Sequence, residues 1–207
     1  MSNDEVYASG LLNRALDPAT QPREIQDFLR AELDCLRTAI TQGMRVVDVG
    51  CGTGRHLLAL RGLLRLGVGV DYARRYISEA GRRAGGGHVH FVVADATAMP
   101  VQAEFDFAMC VTNTWGTMSD KGGVLREMRR VAPGRHTRLL SVYSPASVPA
   151  RREWYRRLGH PVSGETPEHL ETEGRFRSEH FSEARLRSLV GECTIRPLTD
   201  IAYLVTF

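Results

Sequence analysis

Two carboxylates, Asp71 and Asp95, directly follow short apolar runs of the sequence. Each run has the length and the β-branched content of a buried strand, so both side chains are expected at strand ends. A carboxylate at the end of a second strand is the usual partner for ribose hydroxyls, which fits Asp71. Asp95 could accept from the exocyclic amine of adenine. An isolated aspartate more commonly caps a helix or holds a turn, but placement at consecutive strand ends favours ligand contact.

A glycine-rich turn precedes both carboxylates and has Asp48 just before it. Glycines at 50, 52 and 54 supply unusual backbone angles and let a ligand approach the main chain at a helix N-terminus. The third glycine comes one position earlier than in the Gly-x-Gly-x-x-Gly turn that binds a pyrophosphate, and no Gly-Lys-Ser/Thr follows as in a P-loop. Asp48 would repel a pyrophosphate but suit an ammonium group. These residues together predict a ligand with an ammonium group, a ribose and an adenine.

The elements that must hold these residues follow from the hydrophobic pattern. Residues 44–49 form a short β-branched run, and leucines restore helical spacing directly after the glycine turn, which predicts a strand, a tight turn and a helix. Pro22 begins an earlier helix that ends at Gly43. Further strands are predicted over residues 66–70, 89–94, 105–112 and 137–143, and two more in the tail, 193–207. Prolines interrupt residues 145–178, where no element is assigned.

Five segments in order resemble the motifs of the class I S-adenosylmethionine-dependent methyltransferases. VVDVGCGTGRH resembles their motif I, GVDYA their ribose carboxylate, VVADATAMP their adenine motif, FDFAMCVTNTWG their motif IV, and LREMRRVAPG their LxExxRVLKPGG segment. The resemblance covers residues 44–144. It implies an α/β, three-layer Rossmann-like methyltransferase fold with a seven-stranded, mostly parallel sheet. The last strand would be antiparallel and inserted between strands five and six, and an N-terminal helical cap would precede the sheet.

The resemblance implies S-adenosyl-L-methionine as the cofactor and S-adenosyl-L-homocysteine as its product. The backbone of residues 50–52 would touch the methionine part, Asp48 would lie near its amino group, and the Ala96 amide would meet adenine N1. Cys51 is interpreted as a small residue in a crowded turn, not as a nucleophile. The complete set of expected cofactor residues is Asp48, Gly50, Cys51, Gly52, Gly54, His56, Asp71, Tyr72, Asp95, Ala96 and Thr112.

Substrate and catalytic residues are expected at the ends of strands four and five and in the segment after them. Asn113 could orient an acceptor amine, and Trp115 could offer its ring face to a cation. His180 could act as a general base, and Tyr7 as an aromatic lid residue. Tyr143 and Trp154 complete the predicted substrate residues. Three alternatives stay open: Asn113 holds its turn, Tyr7 packs the first helix, and His180 is an ordinary residue before a helix.

The expected function is methyl transfer to a small molecule, with an amine of an amino acid or specialised metabolite as the favoured acceptor. The Asn-Thr-Trp-Gly form of motif IV resembles that of small amine and amino-acid N-methyltransferases. Methyl transfer from a sulfonium is an in-line displacement, so positioning and exclusion of water should dominate. The alternatives are a small-molecule O-methyltransferase, an RNA or protein methyltransferase, and a non-catalytic cofactor-binding subunit of a partner enzyme.

Composition agrees with one domain of 207 residues, 43% of them hydrophobic and 25% charged. Its expected parts are a cap (1–43), a cofactor-binding core (44–144), a substrate-side insertion (145–181), and a last helix with a strand hairpin (182–207). No apolar run approaches the roughly 18 residues that span a membrane. The first residues lack a signal-peptide pattern, so a cytoplasmic location and no membrane partner are expected. A monomer or a homodimer is expected.

Neither a metal nor a nucleic acid is an expected partner. The four cysteines lie far apart without a Cys-x-x-Cys pair, and the histidines lack metal-ligand spacing. The net charge is only +3. Arginine doublets fall on predicted helices among apolar positions, where solvated faces are expected, and glutamates offset them in the C-terminal third.

Overall fold

The computed structural model of the chain describes residue 15 and residues 18–102 and 104–207. Its strands are β1 (Met44–Val49), β2 (Leu64–Asp71), β3 (Val89–Val93), β4 (Phe107–Cys110), β5 (Arg138–Tyr143), β6 (Val162–Glu165), β7 (His169–Thr172), β8 (Arg177–Glu179), β9 (Thr194–Thr199) and β10 (Ala202–Thr206). Its α-helices are α1 (Arg23–Ala39), α2 (Arg55–Leu60), α3 (Arg74–Ala84), α4 (Lys121–Val131), α5 (Val148–Arg157) and α6 (Glu183–Val190). In these described ranges, no helix is long and apolar enough to cross a membrane.

Seven strands form one sheet in the order β3-β2-β1-β4-β5-β10-β9. β1 to β5 pair in parallel, whereas β10 runs antiparallel to both β5 and β9. The predicted mostly parallel sheet with an inserted antiparallel last strand is therefore confirmed. The strand order reverses between β1 and β4, and open α/β sheets bind their ligands beyond the carboxyl ends of the strands at such a point.

Helices cover both faces of the sheet and bury the side chains that the central strands place on each face. Val47 and Val49 of β1 belong to an apolar cluster that includes residues of α4 and α6. Val46 belongs to a second cluster, with Leu36 of α1 and Leu57 of α2. Successive strand side chains point to opposite faces, so β1 contributes to both clusters. This packing holds the first turns of α2 next to the carboxyl end of β1.

Between β5 and α6 lie α5 and a second, antiparallel sheet of β6, β7 and β8, which the sequence analysis did not assign. The strands β6 to β8 have only three or four residues each, too few for an alternating pattern to be recognised. A third apolar cluster joins α1, α5 and this small sheet through residues that include Phe28, Trp154 and Leu170. The segment therefore packs on the N-terminal helix and beside the end of β5.

The predicted fourth strand, residues 105–112, is shorter in the structure, where β4 ends at Cys110. Thr112 and Asn113 adopt positive φ angles of 57° and 56°, which residues with a side chain seldom adopt. The chain therefore leaves the sheet sharply at this point. Such sparsely populated backbone conformations cluster at functional sites.

Candidate active site

A cavity of about 430 Å³ lies at the carboxyl ends of β1, β2, β4 and β5. Its volume falls in the range of small-molecule ligand sites. One part, here called the glycine half, is lined by Gly50, Cys51, Gly52, Asp71, Tyr72 and Ala96. The opposite part, here called the aromatic half, is lined by Tyr143, Trp154, Tyr155, Phe176 and Ser178. His56, Thr112 and Asn113 are among the other lining residues.

Side chains of neighbouring elements crowd the glycine turn. Gly50 and Gly54 have φ angles of +73° and +76°, which disfavour any other residue. A Cβ at Gly50 would come within 2.3 Å of Thr114 Cγ2, and one at Gly54 within 2.4 Å of Phe91 Cζ. Gly54 itself directly precedes α2. Both backbone angle and space thus require glycine, and the turn exposes main chain to the cavity at Gly50 and Gly52.

Asp71 ends β2 and lines the glycine half. Its carboxylate accepts from Gly52 N at 2.9 Å and from Ala73 N at 2.8 Å. Burial raises the pKa of this carboxyl, while the two backbone donors lower it. Since each oxygen has two lone pairs, both can still accept from a ligand. The arrangement suits two adjacent hydroxyl groups, and contact between Asp71 and a ribose stays a prediction.

Asp48 is buried at the end of β1, with 1% of its surface exposed. Neither carboxylate oxygen has a hydrogen-bond partner in the part of the chain that the structure describes. Burial raises the pKa of Asp48 to about 6, opposed by His56, whose Nδ1 lies 4.0 Å from Oδ2, and reinforced by the charges of Glu32 and Asp71. A buried carboxylate without donors is costly. Asp48 lies behind His56 and is absent from the described cavity lining, so its contact with a cationic ligand group stays a prediction.

A buried network that the sequence analysis missed centres on Glu32 of α1. Its carboxylate accepts hydrogen bonds from the Thr112 backbone N–H at 2.6 Å, from the Thr112 hydroxyl at 2.7 Å, and from Arg55 Nη2 at 3.1 Å. His56 Nε2 lies 2.8 Å from Oε2, and the Ser141 hydroxyl also donates to this carboxylate. Glu32 occupies a buried position of α1. A charged residue within an apolar stripe is the sequence signal that could have identified it.

At the adenine motif, Asp95 is exposed and absent from the described cavity lining, whereas Ala96 lines the glycine half. The Asp95 carboxylate accepts from the Thr97 backbone N–H at 2.8 Å and from the Thr97 hydroxyl at 2.7 Å. These bonds fit the turn-holding role that an isolated aspartate usually has. Contact between Asp95 and adenine stays a prediction, as does that of Ala96.

Asn113 lines the cavity, but its side-chain amide is engaged within the protein. Nδ2 donates to Ser178 Oγ at 3.2 Å and to the Glu179 carbonyl at 3.1 Å, and Oδ1 accepts from Tyr143 N at 3.0 Å. The amide therefore ties the turn after β4 to β5 and β8. This geometry fits the turn-holding alternative better than direct orientation of an acceptor.

Trp115 does not face the cavity, contrary to the expectation that it offers a ring face to a substrate cation. Its side chain is fully buried and stacks on Phe181, with ring centroids 5.1 Å apart. Nε1 donates to the Lys121 carbonyl at 3.2 Å. The 3₁₀ turn of Thr114–Thr117 points the ring into the core, where apolar burial stabilises it.

His180 also lies outside the described cavity lining. It is buried, and its Nδ1 lies 3.3 Å from Arg151 Nη1. Burial and the Arg151 charge lower the pKa of His180, which favours the neutral ring. Tyr143 and Trp154, by contrast, line the aromatic half as predicted substrate residues. Tyr7 lies outside the described residues.

The cysteines and histidines do not form a metal site in the described part of the chain: no group of three or more His, Cys, Asp or Glu side chains could hold an ion. Cys51 lines the glycine half, and burial raises the pKa of its thiol well above the usual value. A thiol that stays protonated is a weak nucleophile. Its position fits the interpretation of Cys51 as a small residue in the turn.

Comparison with known proteins identifies the type of the domain at the core of the chain. Residues 46–134 match a family model described as a methyltransferase domain, and this segment holds the glycine turn, Asp71 and Asp95. This segment identifies the core of the chain as a domain of the class I S-adenosylmethionine-dependent methyltransferase type. The chain is 31% identical over 142 residues to the O-methyltransferase cnsE of Penicillium expansum, an alignment that covers 64% of this chain. The chain spans about half the length of that curated relative, since the alignment covers 51% of it.

Solved structures share the fold of this chain at low sequence identity. Magnesium protoporphyrin IX methyltransferase of Synechocystis PCC 6803, with bound SAH, aligns with a TM-score of 0.67 and 14% identity, covering 99% of this chain and 98% of that one. A possible histamine N-methyltransferase of Thermotoga maritima aligns with a TM-score of 0.66 and 18% identity, over the same shares. At these identities, the likeness supports the fold alone.

Proposed function

We propose that the protein binds S-adenosylmethionine in the glycine half and transfers its methyl group to an oxygen of a small molecule in the aromatic half. The observation that carries the proposal is the buried Asp48 carboxylate, which has no donor among the described residues and lies beside the glycine turn. A methionine ammonium group would supply the missing charge and hydrogen bonds. Asp71 would hold the ribose hydroxyls, and the backbone at residues 50–52 would approach the methionine part.

The cofactor supplies an electrophilic methyl group on a positively charged sulfur. An acceptor oxygen, already ionised or giving its proton to water, would bond to the methyl carbon as the carbon–sulfur bond breaks and the electron pair stays on sulfur. The residues of this chain contribute by holding both partners in line and excluding water. The residues of both halves line one cavity, so the cofactor and the acceptor can meet there.

The charges around the aromatic half favour an oxygen acceptor over a cationic amine. Asp71 and Glu79 are the carboxylates of the described cavity lining, and Asp71 belongs to the glycine half. Behind the aromatic half, Arg151 is fully buried, and its guanidinium carbon lies 4.8 Å from the centroid of the Tyr143 ring. A buried positive charge repels an ammonium group and attracts a phenolate or carboxylate. The relative cnsE, named as an O-methyltransferase, agrees with this choice.

An amine acceptor is the second candidate, and the aromatic lining favours it. The rings of Tyr143, Trp154 and Tyr155 could face the cation that forms when nitrogen is methylated. The acceptor amine would have to arrive neutral or lose its proton before attack. The engaged amide of Asn113 and the buried position of His180 leave this candidate with less support than an oxygen acceptor.

The first experiment titrates the purified protein with S-adenosylmethionine and, separately, with NAD by calorimetry. Binding of S-adenosylmethionine alone is expected, and binding of NAD alone would overturn the cofactor assignment. The second experiment offers matched aromatic acceptors that differ only in carrying a hydroxyl, a carboxyl or an amino group, and detects methylation by mass spectrometry. Turnover of the oxygen acceptors is expected. Turnover of the amine alone would replace the proposal with the second candidate, and no turnover would favour a non-catalytic subunit.

A further inference from the structure

Glu32 is a fully buried carboxylate that the N-terminal helix α1 places at the reversal point of the sheet. Its partners come from three separate parts of the fold: Arg55 and His56 begin α2, Thr112 follows β4, and Ser141 lies on β5. These elements meet where open α/β sheets bind their ligands. Glu32 thus links the N-terminal helix directly to the ligand end of the sheet.

The donors around Glu32 are sufficient to keep it ionised. Burial alone would raise the pKa of Glu32, but the hydrogen bond of His56, the charges of His56 and Arg55, and the hydrogen bond of Ser141 lower it to about 2. A buried charge is tolerated in proteins when it is paired and hydrogen-bonded in this way. The carboxylate therefore acts as a fixed negative charge at neutral pH.

Glu32 does not line the cavity, but three of its partners do: Arg55, His56 and Thr112. Both the backbone N–H and the hydroxyl of Thr112 donate to it, at a residue whose φ is +57°. These two bonds help hold Thr112 in a backbone conformation that threonine rarely adopts. Removal of the carboxylate would release this turn and leave its donors unpaired.

His56 is the partner that connects Glu32 to the predicted cofactor site. One edge of its ring meets Glu32, with Nε2 2.8 Å from Oε2, and the other edge faces Asp48, with Nδ1 4.0 Å from Oδ2. Arg55 Nη2 lies 2.8 Å from the same Nε2 and 3.1 Å from Glu32, so one carboxylate oxygen serves both side chains. Glu32 therefore fixes the orientation in which the His56 ring faces Asp48.

We propose that Glu32 is a positioning residue for cofactor binding: it fixes the His56 ring against Asp48 and the Thr112 turn against the cavity without touching the ligand. The inference rests on the proposed binding of S-adenosylmethionine. It assigns the N-terminal helix a direct effect on cofactor affinity, through one side chain. It also makes His56 the intermediary, which a double-mutant cycle can measure.

The test compares Glu32→Gln, His56→Gln and the double variant by calorimetric titration with S-adenosylmethionine, with urea unfolding of each. Glu32→Gln is expected to weaken binding by roughly tenfold, by analogy with metal sites, where loss of a group that orients a ligating side chain costs at least that much. In the His56→Gln background, the same change is expected to weaken binding much less. Equal effects in both backgrounds, or an unchanged dissociation constant in Glu32→Gln, would overturn the inference.

Two further variants keep the result interpretable. Asp34→Asn changes an exposed carboxylate on the same helix and should leave affinity unchanged. Glu32→Asp keeps the charge. If both variants fold, Glu32→Asp should bind S-adenosylmethionine more tightly than Glu32→Gln. If only Glu32→Asp folds, it replaces Glu32→Gln in the double-mutant cycle, where its loss of affinity should be smaller in the His56→Gln background. Wild-type protein that binds no S-adenosylmethionine would refute the proposed function itself, whereas normal wild-type binding with additive variants would refute this inference alone.

Discussion

Replacing Asp48 with asparagine should stabilise the ligand-free protein while weakening cofactor binding. Asparagine matches the shape of the carboxylate but removes its charge, which has no hydrogen-bond donor among the described residues. The side chain is almost completely buried, so water does not solvate that charge. Function and stability therefore make opposite demands on this position, a common conflict at binding sites.

The magnitude follows from the pKa of Asp48, which burial raises from 3.8 to about 6. The difference is about two units, and at 1.36 kcal/mol per unit it corresponds to about 3 kcal/mol. Because the folded state binds the proton more tightly than the unfolded state, stability falls as the pH rises from 3.8 to about 6. Above that range the whole penalty applies, and Asp48→Asn should recover up to about 3 kcal/mol of it.

Urea unfolding at about pH 5 and about pH 8, followed by tryptophan fluorescence, measures this difference. Asp48→Asn should gain more stability over the wild type at the higher pH than at the lower one. Asp34→Asn, an exposed change on α1, should show no such pH-dependent gain. A variant less stable than the wild type at about pH 8, or a gain equal at both pH values, would refute the electrostatic reasoning. Titration with S-adenosylmethionine should show weaker binding by the variant.

The remaining predictions concern the glycine turn and the two halves of the cavity. Asp71→Asn should weaken S-adenosylmethionine binding by about tenfold or more, because a charged hydrogen-bond acceptor is lost; unchanged affinity in calorimetry would contradict the ribose assignment. Gly54→Ala should destabilise the protein by about 1–3 kcal/mol in urea unfolding, because its φ is +76° and the new Cβ would lie 2.4 Å from Phe91 Cζ. Gly62→Ala, where nothing lies within 4 Å, is the matched control and should be close to neutral or stabilising. Trp154→Phe should raise the acceptor KM several-fold at unchanged cofactor affinity, since the ring lines the aromatic half; loss of cofactor affinity instead would place Trp154 in the wrong half.

The sheet and the glycine half could be predicted from the sequence because their signals are local. A β-branched run, three glycines and a leucine-rich helix lie within residues 44–64, and their spacing alone defines a strand, a turn and a helix. Asp48 and Asp71 have fixed positions relative to strand ends, so their placement follows from the strands. The order of the strands, including the inserted β10, came from the family resemblance and not from periodicity.

The residues that sequence reasoning misplaced or missed depend on contacts between distant segments. Trp115 follows a predicted strand end, but its ring turns inward to stack on Phe181, and no local pattern encodes that partner. Glu32 is brought to the site by the packing of α1 on the sheet, and its donors lie on three other elements. The small sheet of β6, β7 and β8 depends on pairing between strands of three or four residues.

Glu32 and Asp48 are equally buried, yet their pKa values shift in opposite directions. Glu32 has several hydrogen-bond donors and a pKa of about 2, whereas Asp48 has none among the described residues and a pKa of about 6. Donors, and not burial, therefore decide which carboxylate is ionised. A ligand ammonium group beside Asp48 would lower its pKa as the donors lower that of Glu32. Binding would then relieve the penalty of the buried charge, so cofactor affinity and folding stability are linked through this one side chain.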